Sequence, residues 1–384
     1  MNTVRLGIVG LGNIGSLYVK LLLEGRIHRA ELVAVCSRNP DKLARYPNLK
    51  CFSQSEELIR SGAVNAVLIA TPHYSHTPIG IDALQQGLHV LVEKPIAVHK
   101  ADGERLLAAH TNTQQIFGAI FNQRTDPFYI KIRDMARSGE LGEVRRINWI
   151  LTNAFRPEAY YSSGGWRATW SGEGGGVLLN QASHNLDLFQ WMFGMPQRVR
   201  AKCGLGRYHQ IEVEDDVTAY LEYSNGATAV FITSTGEAPG TSRLEVAAER
   251  GKLVYESDTL TFTRNEVPMS EFSRTAAGSF NSPTHANVRI SLEGHGGQHA
   301  EILQNFADAI VDGKPLIAPA AEGIRSVELA NAMLLSSLQD RTAELPMNSA
   351  EYEKVLQELI RTSKFTKPET RPQIATDMSQ SFRH

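Results

Sequence analysis

Two hydrophobic rhythms divide the chain. Up to about residue 122, short, nearly solid apolar runs (residues 4–9, 31–36, 66–70, 89–92 and 115–121) alternate with longer segments apolar at every third or fourth position. Runs of the first kind suit strands buried on both faces of a parallel sheet. The second kind suits helices: Ile14, Leu17, Tyr18, Leu21 and Leu22 form one stripe. Asn39-Pro40 offers a cap and a first-turn proline. Ser53 and Glu56 have capping-box spacing, and another helix runs through Leu84 to Gly87. Later the period becomes two. Residues 216–223 alternate, meet Asn225-Gly226, and residues 227–235 return, which predicts a hairpin. Residues 145–152, 244–248, 252–257 and 259–264 add strands. Helices are expected over 129–138, 302–311 and 323–338, and from Asn348, with Glu351 at capping-box spacing, to Ile360. Residues 266–298 read as polar and irregular. The expected fold is an α/β Rossmann domain with a parallel, doubly wound sheet over 1–122. An α+β domain with a large, mostly antiparallel open sheet follows over 123–362, and an arm or tail over 363–384.

The first strand leads straight into Gly10-Leu11-Gly12-Asn13-Ile14-Gly15. Placed between a strand and a helix, each glycine has a task. Gly10 makes the tight turn, Gly12 admits a pyrophosphate close to the backbone, and Gly15 lets helix and strand close up. The helix N-terminus at Asn13 and Ile14 then faces the phosphates. The bland reading is a tight turn with no ligand. The second strand ends in Cys36-Ser37-Arg38, without the carboxylate that holds a ribose 2′-hydroxyl. A hydroxyl beside a guanidinium suits a 2′-phosphate, so NADP(H) is favoured. NAD(H) fits if Arg38 only stacks on adenine. Two further strands end in polar clusters, Thr71-Pro72-His73-Tyr74-Ser75-His76 and Glu93-Lys94-Pro95, where an open parallel sheet places its ligands.

The stretch from Gly174-Gly175-Gly176 to Asp187 is the centre of the expected chemistry. Leu178, Ala182, Leu186, Phe189 and Phe193 predict a helix that stops at Gly194 and Pro196. On it Asn180 and His184 share a face, with Asp187 about one turn further. Three glycines before it suit a backbone lying close to a ligand. A capped helix with one satisfied histidine is the alternative. Residues 160–170 interleave aromatics with glycine and an arginine. This suits a pocket that stacks on a sugar face, with Tyr160 and Trp166 as candidates, or else an aromatic core loop. His295 and His299 are four apart, but intervening glycines and the lack of a third ligand argue against a metal. His299 suits either a substrate-facing position or a helix start.

Composition narrows the picture further. The 384 residues carry a net charge of -2, and no basic run points to nucleic acid. No apolar run approaches the roughly 18 residues needed to cross a bilayer. Three widely spaced cysteines and the lack of a signal-peptide pattern imply a cytoplasmic protein.

Taken together, Gly10 to Gly15, Thr71-Pro72, His76, Glu93-Lys94-Pro95, the triple glycine with His184, and Glu344-Leu345-Pro346 resemble the Gfo/Idh/MocA family of dinucleotide-dependent oxidoreductases. The resemblance spans residues 4–362. It implies hydride transfer between nicotinamide and a secondary alcohol or ketone of a sugar, sugar derivative or cyclitol. It places Lys94 at the reacting carbon, before a proline able to be cis, and puts Asn122, Trp166 and Arg167 near the cofactor. It also implies a homodimer or homotetramer that covers the open sheet. A histidine titrating near neutrality, at 184, suits proton removal, with Tyr160, Tyr161 or His299 as fallbacks. Many family members have aspartate where this chain has Asn180, so no carboxylate relay is expected there, although Asn180 can still bond a substrate hydroxyl. Two rival readings are an NAD-dependent glycoside hydrolase and a silent dinucleotide-binding regulator.

Overall fold

All five solid apolar runs, with one short segment more, form a single parallel sheet in the computed structural model, which describes residues 3–368. In chain order its strands are β1 (Val4–Val9), β2 (Ala30–Cys36), β3 (Lys50–Phe52), β4 (Ala66–Ile69), β5 (His89–Val92) and β6 (Phe117–Ala119). The spatial order is β3-β2-β1-β4-β5-β6. The chain winds outward from β1 to β3, then returns to add β4 on the other side of β1. The crevice beyond the carboxyl ends of β1 and β4 is therefore the topological switch point. Every residue of β4 is buried, as strands covered on both faces require.

The second sheet holds β7 (Val144–Leu151), β8 (Arg198–Leu205), β9 (Glu214–Glu222), β10 (Thr228–Ser234), β11 (Ser242–Ala248), β12 (Gly251–Glu256), β13 (Thr259–Asn265), β14 (His285–Ile290) and β15 (Ala343–Glu344). Their order is β14-β13-β12-β11-β7-β10-β9-β8-β15, antiparallel except where β7 meets β10. The Asn225-Gly226 hairpin forms as its sequence predicts, with Tyr223 N donating to Ala227 O at 2.9 Å and Gly226 at φ 85°. One face packs on the helices Pro127–Arg137, Ser183–Phe193 and Ala320–Leu338. The other carries cross-strand rows such as Tyr220–Val230–Asn148–Glu245, with Tyr220 43% exposed.

Several expectations need correction. Residues 266–298 are not wholly irregular: they contain the helix Met269–Thr275 and strand β14. Strands β14 and β8 both alternate strictly in sequence, and β14 is exposed along nearly its whole length, so its apolar positions mark no core face. Ser53 does not cap the next helix. Leu58 and Ile59 must face the core, which shifts the frame and puts Gln54 at the cap. At the last helix, Asn348 does accept from Ala350 N at 3.1 Å, while Glu351 pairs with Arg341 instead of closing the box. The split at residue 122 is crossed as well. The helix Gln298–Asp312 returns Ile302, Leu303, Phe306 and Ala307 to one face of the first sheet. Ala318, Ala320 and Val327 complete the other.

Candidate active site

A cavity of about 1470 Å³ opens at the switch point and runs on between the two sheets. Gly10, Gly12, Asn13 and Ile14 line one end. Gly10 sits at φ +102°, and a Cβ there would lie 2.5 Å from Ala70 O, so only glycine fits. Gly15 does not line the cavity. It closes helix on strand, since its Cβ would lie 2.0 Å from Gly10 O. The helix starting at Asn13 thus aims its N-terminus into the cavity. Ser37 and Arg38 line the same end, joined by Lys42, which the sequence did not single out, and by Glu56, which it offered only for a capping box. Thr71 and Pro72 line it too, and Thr71 Oγ1 is enclosed without a partner.

His76 departs from its expected place beside a cofactor. Its ring is fully buried, with Nδ1 2.8 Å from Pro95 O and Nε2 2.8 Å from Thr71 O. It ties the end of β4 to the turn after β5 and does not line the cavity. His73 does line it, with Nδ1 3.2 Å from Glu173 O and its ring 5.0 Å from that of Trp166.

Lys94 follows β5 and precedes a cis peptide to Pro95. Its Nζ donates to Asn180 O at 2.9 Å. Burial lowers its pKa, as do Arg167 and Arg156, against the opposing fields of Glu93 and Glu173. Glu93 accepts from Lys94 N at 2.9 Å and from the Tyr18 hydroxyl, so it links the lysine to the helix of the glycine turn. Burial holds the Glu93 carboxyl above its ordinary range.

His184 is half-buried on the cavity wall, edge-on to Phe121 at 6.1 Å, with Nδ1 enclosed and unpartnered. Burial, then Lys94 and His299, hold it well below 6.5, so the ring is neutral. His299, in the first turn of the helix Gln298–Asp312, lines the same space, and burial takes it to about 4. Asn122 also lines the wall. Its Nδ2 donates to Gln298 Oε1 at 2.6 Å, while Oδ1 is enclosed without a partner.

The central stretch folds differently from its periodicity. The helix is Ser183–Phe193, and residues 177–182 form turns. Strand β9 is the cause. Glu214 Oε1 accepts from Gly176 N at 2.8 Å and Leu178 N at 3.0 Å, and Glu214 O accepts from Val177 N at 2.9 Å. Those donors are thereby spent outside any helix. The glycines serve this packing and do not line the cavity: a Cβ on Gly176 would lie 2.0 Å from Glu214 O. Asn180 therefore precedes the helix that carries His184. It lines the cavity, but its amide donates to Glu173 and its main-chain carbonyl receives Lys94. Asp187 does not join them, because it is fully buried and holds Arg124 through two 2.7 Å bonds.

The aromatic segment divides between core and cavity. Tyr161 and Trp170 are core residues, while Tyr160, Trp166 and Arg167 line the cavity. Arg167 donates to the Tyr160 hydroxyl at 2.7 Å, as does Gln181 Nε2 at 3.0 Å. His295 turns away to Asp126 at 2.8 Å. Among the described residues, His99, Asp102 and Glu353 could converge on a metal, but Arg105 already pairs with both carboxylates.

The description of an oxidoreductase family with an NAD-binding Rossmann fold matches residues 4–121. That of the GFO/IDH/MocA C-terminal domain matches residues 129–254. Over 361 residues the chain is 24% identical to the scyllo-inositol 2-dehydrogenase (NADP(+)) IolW of Bacillus subtilis (strain 168), covering 90% of this chain and 97% of that protein. It is likewise 24% identical over 352 residues to an inositol 2-dehydrogenase of Rhizobium meliloti (strain 1021), covering 88% and 98%. The WlbA dehydrogenase of Bordetella pertussis, solved with NADH and UDP-GlcNAcA, superposes with a TM-score of 0.75 at 24% identity, over 90% of this chain and all 100% of that one. The chain is a Gfo/Idh/MocA oxidoreductase, with that family's Rossmann and C-terminal domains in succession.

Proposed function

We propose that the protein is an NAD(P)-dependent dehydrogenase that interconverts a secondary alcohol and a ketone on a sugar, sugar derivative or cyclitol. One observation carries the reading: Lys94 and the neutral His184 come from different domains and line one cavity, whose far end is the glycine turn. The cavity fits a dinucleotide. Backbone N–H groups and a helix N-terminus stand where a pyrophosphate would lie. Thr71 Oγ1 and Asn122 Oδ1 are enclosed without partners on the way to Lys94. Gly10, Gly12, Asn13 and Ile14 would hold the pyrophosphate, with Ser37 and Arg38 at the ribose. Thr71, Pro72, Asn122, Trp166 and Arg167 would flank the nicotinamide half.

When bound, an oxidised nicotinamide supplies the acceptor for the carbinol hydride. Lys94 Nζ, already oriented by Asn180 O, has two further protons with which to bond the substrate oxygen and stabilise its developing charge. His184 takes the hydroxyl proton at Nε2, since Nδ1 is enclosed. Tyr160 supplies a ring beside the substrate. Asn180 acts chiefly through its main-chain carbonyl.

We favour NADP(H), because Ser37, Arg38 and Lys42 line the ribose end. Glu56 on the same wall is the opposing influence. Three free cysteines suit a reducing compartment, so we assign the protein to the cytoplasm. Among the described residues no helix is long and apolar enough to cross a membrane. The test is a panel of sugars and inositols followed by NAD(P)H absorbance, run beside Lys94→Ala and His184→Ala. Cofactor reduction by one panel member, lost in both variants, is expected. Cofactor binding without reduction by any of them would overturn the reading.

A further inference from the structure

The substrate end of the cavity has an unbalanced charge. Its wall carries Lys94, Arg156 and Arg167, while the carboxylates lining the cavity are Glu56, Asp82 and Glu93. Asp82 pairs with Arg60 at 2.7 Å, and Glu56 lies near Cys36 at the ribose end. The oxygens of Glu93 are taken by Tyr18 and by Lys94 N. Behind the wall, Glu173 is committed to Ala168 N at 2.7 Å and to the Asn180 amide. Among the described residues neither Arg156 nor Arg167 forms an ion pair, and the field of Glu173 reaches Arg167 from behind the wall.

Both arginines lie against one aromatic ring. The Arg167 guanidinium lies 4.6 Å from the Tyr160 ring centre, and that of Arg156 lies 5.3 Å from the same ring. Arg167 donates to the Tyr160 hydroxyl, and among the described residues Arg156 NH1 donates to the neighbouring Phe155 O at 2.9 Å alone. The main chain of Arg156 is pinned. Its N donates to Thr235 O at 3.0 Å, and its carbonyl lies 2.7 Å from His209 Nε2, a ring held in turn by Asp215. Two cations sharing one aromatic ring repel each other, and an anion placed between them relieves that repulsion. Guanidinium forks match a pair of oxygens on a carboxylate or a phosphate.

We propose that the substrate carries an anionic group, a carboxylate or a phosphate ester, seated between Arg156 and Arg167 over Tyr160. The proposal rests on the dehydrogenase reading of this cavity and sharpens it from polyols in general to acidic ones. Arg156 then sets specificity.

The test compares D-glucose, D-glucuronate and D-glucose 6-phosphate as ligands of the full-length enzyme with NADPH bound, followed by NADPH fluorescence at fixed ionic strength. At least one anionic probe should bind roughly tenfold or more tightly than D-glucose. The better of the two identifies the source of the charge. Arg156→Gln should cut that preference to below about threefold, and Arg156→Lys should restore part of it. Bound-NADPH fluorescence reports separately that each variant is folded. Equal affinity for the three probes, no anion binding at about 10 mM, or a preference that survives Arg156→Gln would each overturn the proposal. Failure of the dehydrogenase reading would look different: the anion preference would persist while no alcohol reduced NADP(+).

Discussion

A histidine can take a proton only while it is neutral, and the surroundings of His184 keep it so. The ring is desolvated and faces Lys94 and His299, so its folded-state pKa lies well below the ordinary 6.5. Activity that needs the neutral ring should hold as pH falls to 6.5 and decline only in more acid solution. The pH profile of kcat/KM checks this, and an acid limb above 6.5 belonging to His184 would contradict it. The same depression has a stability sign. The unfolded chain binds the proton first, so this group's contribution is whole above the unfolded pKa and is lost as pH drops through the folded one. Removing the group altogether, in His184→Ala, should lower single-turnover hydride transfer by roughly two to four powers of ten. Lys94→Ala should cost a similar factor. The double variant should fall well short of the product, since the two act on one oxygen. NADPH binding should survive in all three.

Asn180 also has consequences at this scale. Its amide donates to the buried Glu173, whose carboxyl burial already holds high. Asn180→Asp would set two carboxylates against each other. It should cost about 1–3 kcal/mol of stability at pH 8, with most of the loss recovered near pH 5 as one carboxyl protonates. Thermal melts at the two pH values measure this. At the ribose, Arg38→Ala should weaken NADP(H) binding far more than NAD(H) binding. Equal losses would show that the guanidinium only stacks on adenine.

Among the elements, the run from Gly174 to Ala182 shows what local periodicity conveys and what it omits. Leu178, Ala182 and Leu186 recur at helical spacing and are buried, so the pattern located a core face correctly. It could not show that the side chain of Glu214, well over thirty residues later, takes the N–H groups of Gly176 and Leu178. Burial raises that carboxyl to about 7, with the N–H bonds opposing. Glu214→Ala should leave two enclosed donors bare and cost roughly 2–6 kcal/mol by denaturant titration, with turnover falling alongside because Asn180 O would no longer aim Lys94. The glycine turn and the strand ends were legible because their chemistry is local. The buried Asp187–Arg124 pair and the Glu93–Tyr18 link were not, since each joins residues brought together only by the fold. Strand β8 was legible in principle: Arg198, Arg200 and Lys202 alternate with Val199, Ala201 and Cys203.

For the molecule as a whole, the open face of the second sheet offers Tyr220, Val230, Ile232 and Ile150 in adjoining cross-strand positions. An apolar patch of this kind suits contact with a second copy. Light scattering should report a dimer or tetramer at micromolar concentration, and a stable monomer would exclude that role for the face.

The helix Gln298–Asp312 packs four side chains onto the first sheet and brings His299 to the cavity beside Lys94. A nucleotide-binding half is therefore not a detachable part. Anyone grafting residues 1–122 onto another member's C-terminal half to change substrate would transplant an incomplete core, with Ile8 and Leu68 on the stripped face. A workable chimera would take its cofactor half from two separate stretches of chain and leave the substrate half as the insert between them.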